Sequence, residues 1–222
     1  MQTFTKIYEQ AIALHGSEKE LKKYLPKVRT AGEIKQLSDA YCLGQMSIRI
    51  FQAGLNQKMI INKWPAFEEV FYGFDIDVVR MMSDEALESL MHEKRIVRHW
   101  GKIQSVRHNA QAIDELNEEN GSFVEWLADW PPNNIVGLWK ELKKRFKQLG
   151  GASGPYFLRR IKKDTFLLSD DVIRALGRWG AIDFVPKNQA QLKQVQDAMN
   201  QWHEESMLPF SQISMILARS IE

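Results

Sequence analysis

The sequence contains a single cysteine, Cys42, in 222 residues. One thiol cannot build a disulfide framework, and it cannot supply the four thiolates of a typical iron–sulfur cluster. No apolar run approaches the roughly 20 residues of a transmembrane helix, and no signal peptide is recognised at the start of the chain. We therefore expect a cytoplasmic protein without a membrane anchor.

Alternation of apolar and polar residues with a period of two is nearly absent, so the sequence gives little indication of β-strands. Apolar residues recur instead at helical spacing along most of the chain. Seven Trp and eleven Phe, within a hydrophobic content of 44%, are enough for a substantial core. We predict an all-α protein.

Capping residues and turn residues predict where several helices begin and end. The predicted helices are a first one from Phe4 to near His15, one opening with a capping box at Thr30, one starting at Trp64-Pro65, one starting at Ser83, a long one over residues 96–116, one over residues 188–207 and a last one from Pro209.

Residues 139–172 hold the most informative stretch, which reads as helix, glycine turn and second helix. The segment from Leu149 to Gly154 cannot continue a helix, because its glycines favour turn conformations. Pro155 suits the first turn of the next helix, where its missing N–H is not needed. A helix that starts at such a turn presents backbone N–H groups that can bind a phosphate.

Positive charge is concentrated around this turn. Nine basic residues and one acid lie between Lys140 and Lys163, which gives +9 − 1 = +8, whereas the whole chain carries +2 and the remainder therefore −6. Such a concentration is typical of a protein that contacts a nucleic-acid backbone. The alternative is a solvated basic helix face with no partner.

The residues LGGASGPYFLRRI, followed by DTFLLSDDV, resemble the helix-hairpin-helix and downstream aspartate of the HhH-GPD superfamily of DNA glycosylases. Residues 51–79 and 95–113 resemble the DNA-3-methyladenine glycosylase I family. The resemblance implies a two-lobed helical bundle that forms a single glycosylase domain over residues 1–222. Its central lobe would span about 38–135 and its hairpin lobe about 134–180, with the terminal helices packed around them.

The resemblance also implies an activity. The chain would be a monofunctional DNA glycosylase of base excision repair that flips a base out of double-stranded DNA and hydrolyses its N-glycosidic bond. The base would be alkylated, such as 3-methyladenine, whose positive charge makes it a good leaving group. The alternative is a non-catalytic DNA-binding protein that keeps the fold and the hairpin. We expect a monomer in either case.

The resemblance assigns the grip on DNA to the hairpin. Gly151, Ser153 and Gly154 would offer backbone N–H groups to a phosphate, and Lys162 would add charge. Glycosylases that also cut the strand place a lysine just after the hairpin glycines to form a Schiff base, but Pro155 occupies that position here. We therefore expect no lyase activity. No cofactor is required, although the superfamily often holds a monovalent cation at the hairpin carbonyls, and the sequence is neutral on that point.

Three aspartates are candidates for the carboxylate that would stabilise positive charge on the sugar. Alignment on the superfamily pattern places Asp171 at the catalytic position, with Asp170 as a helix-capping neighbour. Asp171 as a structural cap is the alternative. Asp164 is expected to close the turn after the second hairpin helix.

Arg49 stands at the position where the resembled family reads its base. Trp64 and Tyr156 could stack on that base, although such aromatics are more often core residues. Gln52 and Leu55 would belong to a loop that wedges into the duplex, or else form a plain turn with Leu55 in the core.

Arg49 and Gln57 replace a glutamate and a tryptophan that the family uses to recognise its base, so the substrate stays open. The family's zinc ligands are also missing. We predict no metal and interpret His15 as a helix-end residue. Lys102 and Arg107 would reach phosphates or be solvated.

Overall fold

The computed structural model describes residues 1–221, and within that span it contains α-helices, two short 3-10 helices and no β-strand. The prediction of an all-α protein is confirmed. The helices are Phe4–His15 (α1), Glu18–Lys22 (α2), Ala31–Lys35 (α3), Asp39–Gln52 (α4), Gln57–Val70 (α5), Ile76–Arg80 (α6), Asp84–Ser89 (α7), Trp100–Asn120 (α8), Phe123–Asp129 (α9), Ile135–Arg145 (α10), Ser153–Arg160 (α11), Asp170–Arg178 (α12), Gln189–Ser206 (α13) and Phe210–Arg219 (α14).

Contacts between residues divide the chain into two compact units. The first, which we call the terminal unit, combines residues 1–29, 131–138 and 162–222. The second, the hairpin unit, combines residues 30–130 and 139–161. These units differ from the lobes expected at 38–135 and 134–180, because α11 of the hairpin packs directly on α4 and so belongs with residues 30–130.

The terminal unit joins the two ends of the described chain. Helix α1 packs on α2, α13 and α14, and α12 packs on α14. The indole N–H of Trp202 donates to the backbone oxygen of Gln2 at 3.0 Å, and Phe166 meets Phe210 edge to face. All three rings are buried, so aromatic packing stabilises this unit.

The hairpin unit is organised around α4, which packs on α5, α6, α8 and α11. Phe51 of α4 and Phe67 of α5 are buried with ring centroids 4.5 Å apart. Gly44 lies where Phe74 crosses α4, and a β-carbon there would come within 3.3 Å of that ring. This close packing holds the end of α4 at a fixed position.

Several predicted helix ends are confirmed by their caps. Thr30 forms the expected capping box with Glu33, and the side chains of Ser83 and Asn188 accept the backbone N–H groups of Ala86 and Gln191. Each cap supplies an acceptor to a helix start whose N–H groups would otherwise lack partners.

Two predicted starts are wrong. Helix α5 begins at Gln57 because Asn56 caps it by accepting the N–H of Met59 at 3.0 Å, and Pro65 lies inside the helix instead of opening it. The long helix α8 begins at Trp100 and not at Ile96. His99 has an extended backbone, and its ring nitrogen caps the N–H of Lys102 at 3.3 Å.

None of the helices in residues 1–221 combines the length and the apolar character that crossing a membrane requires.

Candidate functional site

An open pocket of about 710 Å³ lies in the hairpin unit. Its walls come from the last turn of α4, the loop into α5 and one face of α11. The lining residues are Arg49, Gln52, Ala53, Gly54, Leu55, Asn56, Gln57, Tyr156 and Arg160. The structure thus brings Arg49, Gln52, Leu55 and Tyr156, all predicted from the sequence, to one place.

Arg49 is the central cation of this pocket. Its guanidinium carbon lies 4.6 Å from the centre of the Tyr156 ring, a cation–π distance. Its Nε atom is shielded from solvent and has no hydrogen-bond partner among the described residues. Burial lowers the pKa of Arg49. A buried donor without an acceptor is costly.

Two more cations lie close to Arg49. Arg160 lines the pocket and donates from Nε to the side-chain oxygen of Gln45 at 3.0 Å. Burial lowers the pKa of Arg160, and the positive charge of Arg49 lowers it further. The same two causes, burial first, lower the pKa of Lys102. The charge of Arg49 thus disfavours the charged forms of both neighbours, as expected where three cations lie close together.

Lys102 does not line the pocket, but it holds in place the loop that does. Its amine is buried and donates to the backbone oxygen of Ala53 at 2.6 Å and of Phe51 at 3.3 Å. The expectation that Lys102 reaches a phosphate or is solvated is therefore wrong. Its positive charge satisfies carbonyl groups at the end of α4, a role that the sequence did not indicate.

The loop at the rim of the pocket turns at Gly54, whose φ of 73° suits glycine. Leu55 beside it is 37% exposed, so the alternative that placed Leu55 in the core is wrong. Gln52 is buried at the base of the loop. The use of Leu55 as a wedge stays a prediction.

The hairpin follows α10 and depends on two of its glycines. Gly151 has φ 57° and is exposed, as a left-handed turn residue should be. A β-carbon on Gly154 would lie 2.9 Å from the backbone oxygen of Leu149, so only glycine fits this approach. The N–H of Ser153 donates to Gly150 at 3.2 Å, and no side chain caps the start of α11.

The basic residues from Lys140 to Lys147 differ in their surroundings. The exposed ones are Lys140, Lys143, Lys144 and Lys147. Arg145 is instead engaged with Glu119 at 2.8 Å and Glu141 at 3.4 Å, which neutralise it. The exposed lysines therefore carry the positive field of the α10 side of the hairpin.

The three candidate carboxylates lie in the terminal unit. Ser169 caps α12 by accepting the N–H of Val172 at 3.3 Å, so the expected cap at Asp170 and the alternative cap at Asp171 are both wrong. Asp171 lies in the first turn and pairs with Arg174 at 2.8 Å, with both side chains more than half exposed. The cap is the Ser169 hydroxyl and not a carboxylate, because Ser169 has the extended backbone that the N-cap position requires.

Asp164 does not close a turn after α11. Its two carboxylate oxygens accept the N–H groups of Phe210 and Ser211, each at 2.9 Å, at the start of α14. The cap joins residues 46 and 47 positions apart, so local sequence could not indicate it. Lys162 is exposed with φ 61°, and its backbone oxygen accepts the N–H of Arg29.

The part of the chain that matches a known family coincides largely with the hairpin unit. The family described as methyladenine glycosylase matches residues 32–151, just over half of the chain. The chain belongs to the methyladenine glycosylase family. The curated DNA-3-methyladenine glycosylase 1 of Escherichia coli (strain K12) is 33% identical over 94 residues, which make up 42% of this chain and 47% of that protein. The match thus spans about half the length of the curated relative.

Solved structures share the fold. The 3-methyladenine DNA glycosylase I of Staphylococcus aureus has a TM-score of 0.53 at 23% identity, covering 64% of this chain and 82% of that one. The 8-oxoguanine DNA glycosylase of Methanocaldococcus jannaschii has a TM-score of 0.54 at 18% identity, covering 95% and 91%. At these identities the likeness establishes the all-α glycosylase fold alone.

Two other predicted positions of this methyladenine glycosylase family member lie outside the pocket. Trp64 stacks between Phe67 and Phe74, with ring centroids 5.3 Å from each, and does not line the cavity. Arg107 donates to the backbone oxygen of Met82 and to the carboxylate of Asp84, so it is not merely solvated, and its contact with a phosphate stays a prediction. Arg160 belongs to the basic stretch of the hairpin, but nothing in the sequence indicates that it lines the pocket.

His15 is the last residue of α1, as expected, with its Nδ1 atom 2.9 Å from the backbone oxygen of Ala11. Within residues 1–221, no group of three or more His, Cys, Asp or Glu is arranged to hold a metal ion.

Proposed function

We propose that this chain is a monofunctional DNA glycosylase of base excision repair. The observation that carries the proposal is that one helix, α11, serves two tasks. Its start forms the glycine turn of the hairpin, and Tyr156, three residues later, lines the pocket. At a rise of about 1.5 Å per residue, a phosphate bound at the turn would lie close to the pocket, so a nucleotide flipped beside it could place its base there.

The substrate proposed from the family is double-stranded DNA with an alkylated base such as 3-methyladenine. Membership of the methyladenine glycosylase family and the name of the curated relative support this choice. We further propose that the protein acts as a monomer in the cytoplasm. Leu55 would fill the gap that the flipped base leaves, because its exposed side chain sits on the rim of the pocket, and Gln52 would support that loop from its buried position.

The chemistry assigned to Asp171 is electrostatic. Cleavage of the N-glycosidic bond builds positive charge on the sugar, and a fixed carboxylate stabilises that charge. The same carboxylate can orient or deprotonate the attacking water. The contact with Arg174 holds the Asp171 carboxylate on the first turn of α12, where the N–H groups of the helix start favour a negative charge.

The absence of lyase activity is part of the proposal. A Schiff base needs a free amine at the sugar carbon, and the position after the hairpin glycines is Pro155, which is buried and has none. Hydrolysis by water is then the remaining route, and the product is an intact strand with an abasic site.

One observation favours the second candidate, a non-catalytic DNA-binding protein. Asp171 is more than half exposed and already paired with Arg174. Solvent weakens the electrostatic effect of an exposed carboxylate, so this arrangement also suits a protein that grips DNA without cleaving it.

Release of free base from methylated duplex DNA separates the two candidates. We expect wild type to release base and Asp171→Asn to release it at least about 10²-fold more slowly, the scale of removing one fixed electrostatic group. Duplex binding should persist in the variant, because the hairpin is unchanged. Single-turnover release and fluorescence anisotropy measure the two quantities.

Asp170→Asn is the matched control, since Asp170 is the exposed neighbour on the same turn and should leave the rate unchanged. Equal loss in both variants would remove the special role of Asp171. No release by wild type from duplexes that carry alkylated, oxidised or deaminated bases, with tight duplex binding, would favour the non-catalytic alternative. Strand scission by wild type without alkaline treatment would contradict the absence of lyase activity.

A further inference from the structure

The pocket has an unusual balance of charge for a site that would hold a cation. Its lining includes Arg49 and Arg160, and Lys102 lies directly behind its loop. None of the nine lining residues is acidic. A positively charged ligand would therefore enter without a counter-ion and beside like charges, which is unfavourable in a partly buried site.

The hydrogen-bonding groups of the pocket also disfavour a cationic ligand. Three acceptors of the loop are already engaged: Ala53 accepts from Lys102, the backbone oxygen of Gln52 accepts from Leu55, and the side-chain oxygen of Asn56 accepts from Met59. The guanidinium groups of Arg49 and Arg160, which line the pocket, can only donate. A ligand that brings acceptors can pair with these groups, whereas a ligand that only donates cannot.

Tyr156 is also less available to a cation than an isolated tyrosine would be. The guanidinium of Arg49 lies over its ring at 4.6 Å. That face already carries a cation–π contact, so a second cation cannot use it. An uncharged planar base can instead stack on the exposed side of the guanidinium, which tolerates flat partners.

We propose that this pocket selects an uncharged base with exposed oxygen acceptors, the kind that oxidation or deamination of a purine leaves, over a cationic alkylated base. The inference rests on the proposed glycosylase activity, and it replaces the alkylated base taken from the family with an uncharged base as the preferred substrate. An alkylated purine such as 3-methyladenine carries a positive charge while it is still attached to the sugar. We therefore expect it to be bound more weakly than the best uncharged base.

Two modified guanines make a matched pair of probes. Both 7-methylguanine and 8-oxoguanine are altered in the five-membered ring and both pair with cytosine, but the first adds a positive charge and the second adds an oxygen acceptor. Placed in one duplex on 2′-fluorinated sugars that resist hydrolysis, they allow binding to be measured without cleavage. The affinity of each duplex is compared with that of the unmodified duplex at one fixed salt concentration.

Wild type should bind the 8-oxoguanine duplex at least about tenfold more tightly than the 7-methylguanine duplex, as expected for like charges in a partly desolvated site. Arg49→Glu should abolish or reverse this ratio, because it exchanges the central cation for an acid. Arg49→Lys, which keeps the charge, should retain its direction. Lys19→Glu, an equal change of charge at an exposed position of α2, should leave the ratio unchanged.

Equal affinities in wild type, or a preference for the cationic duplex, would overturn the inference. So would an Arg49→Glu variant that keeps the wild-type ratio. Because this test needs no cleavage, it stands apart from the proposed activity. Failure to release any base from unfluorinated duplexes would contradict the proposed glycosylase activity. The binding ratio alone decides which base the pocket prefers.

Discussion

At the scale of single residues, the pocket depends on Lys102, a residue type that is usually found on the surface. Lys102 is 7% exposed and holds the end of α4 through two backbone oxygens. A buried amine on two carbonyls is a structural link between α8 and the loop that forms the rim of the pocket. Changes at Lys102 should therefore affect the stability of that loop first.

Replacing Lys102 with methionine should lower the free energy of unfolding by about 1–3 kcal/mol, the cost of leaving buried carbonyl groups without donors. Urea denaturation followed by circular dichroism measures the change. Lys58→Met, at an exposed position of α5, should change stability little. An unchanged midpoint for the Lys102 variant would mean that these bonds contribute nothing.

The same substitution has a signature in pH. Burial, and then Arg49, lower the pKa of Lys102 in the folded protein. Between that pKa and the higher value in the unfolded chain, the unfolded state binds more protons, so the stability of wild type rises with pH on approaching about 10.5. The contribution of this group to that rise should be missing from Lys102→Met.

At the scale of elements, the hairpin owes its shape to the close approach of Gly154 to Leu149. Gly154→Ala should lower the free energy of unfolding by about 1–3 kcal/mol, the usual cost of overpacking, and should weaken duplex binding by displacing the start of α11. Thermal unfolding and anisotropy report the two effects.

Gly101→Ala is a matched comparison, because Gly101 is also the second residue of a helix. Its nearest contact to an added β-carbon is the His99 ring at 3.7 Å, so alanine fits and should be neutral or stabilising there. Equal effects at the two glycines would show that helix propensity, not the approach to Leu149, governs the hairpin.

Much of the element pattern could be predicted because caps are local. Thr30 and Glu33, or Ser83 and Ala86, lie three residues apart, so the sequence shows both partners at once. Pro65 misled because packing around Phe67 and the cap at Asn56 hold α5 together despite the missing N–H. A strong local signal was outweighed by contacts from elsewhere.

The candidate site could be predicted only in part, because its contacts join residues far apart in the sequence. Arg49 and Tyr156 were both predicted as base-pocket residues, but their contact joins α4 to α11 and depends on the tertiary fold. The bond from Lys102 to Ala53 spans 49 positions, and no short pattern indicates it. Residues that act through distant partners become recognisable when the fold places those partners beside them.

At the scale of the whole molecule, charge is unevenly distributed along the chain, with +8 over residues 140–163 and −6 over the rest. If the exposed lysines of α10 contact phosphates, each should release counter-ions on binding. Lys144→Gln should then reduce the slope of log affinity against log salt by about 0.9. Anisotropy titrations between low and moderate salt measure this slope.

Arg145→Gln is the comparison, because Glu119 and Glu141 already neutralise Arg145 inside the protein. That variant should leave the slope near the wild-type value. A loss of slope at Arg145 but not at Lys144 would mean that the exposed lysines face away from DNA.

The assembly of the terminal unit has a consequence for biosynthesis. Helix α1 ends at His15, but one of its packing partners, α14, begins only at Phe210, which is 210 − 15 = 195 residues later. At about 5–20 residues per second, a ribosome takes roughly 10–40 s to deliver that stretch. The hairpin unit has its full sequence by residue 161 and can condense during translation. Helix α1 is therefore synthesised long before all of its packing partners exist, and part of its apolar face stays open to chaperones during that interval.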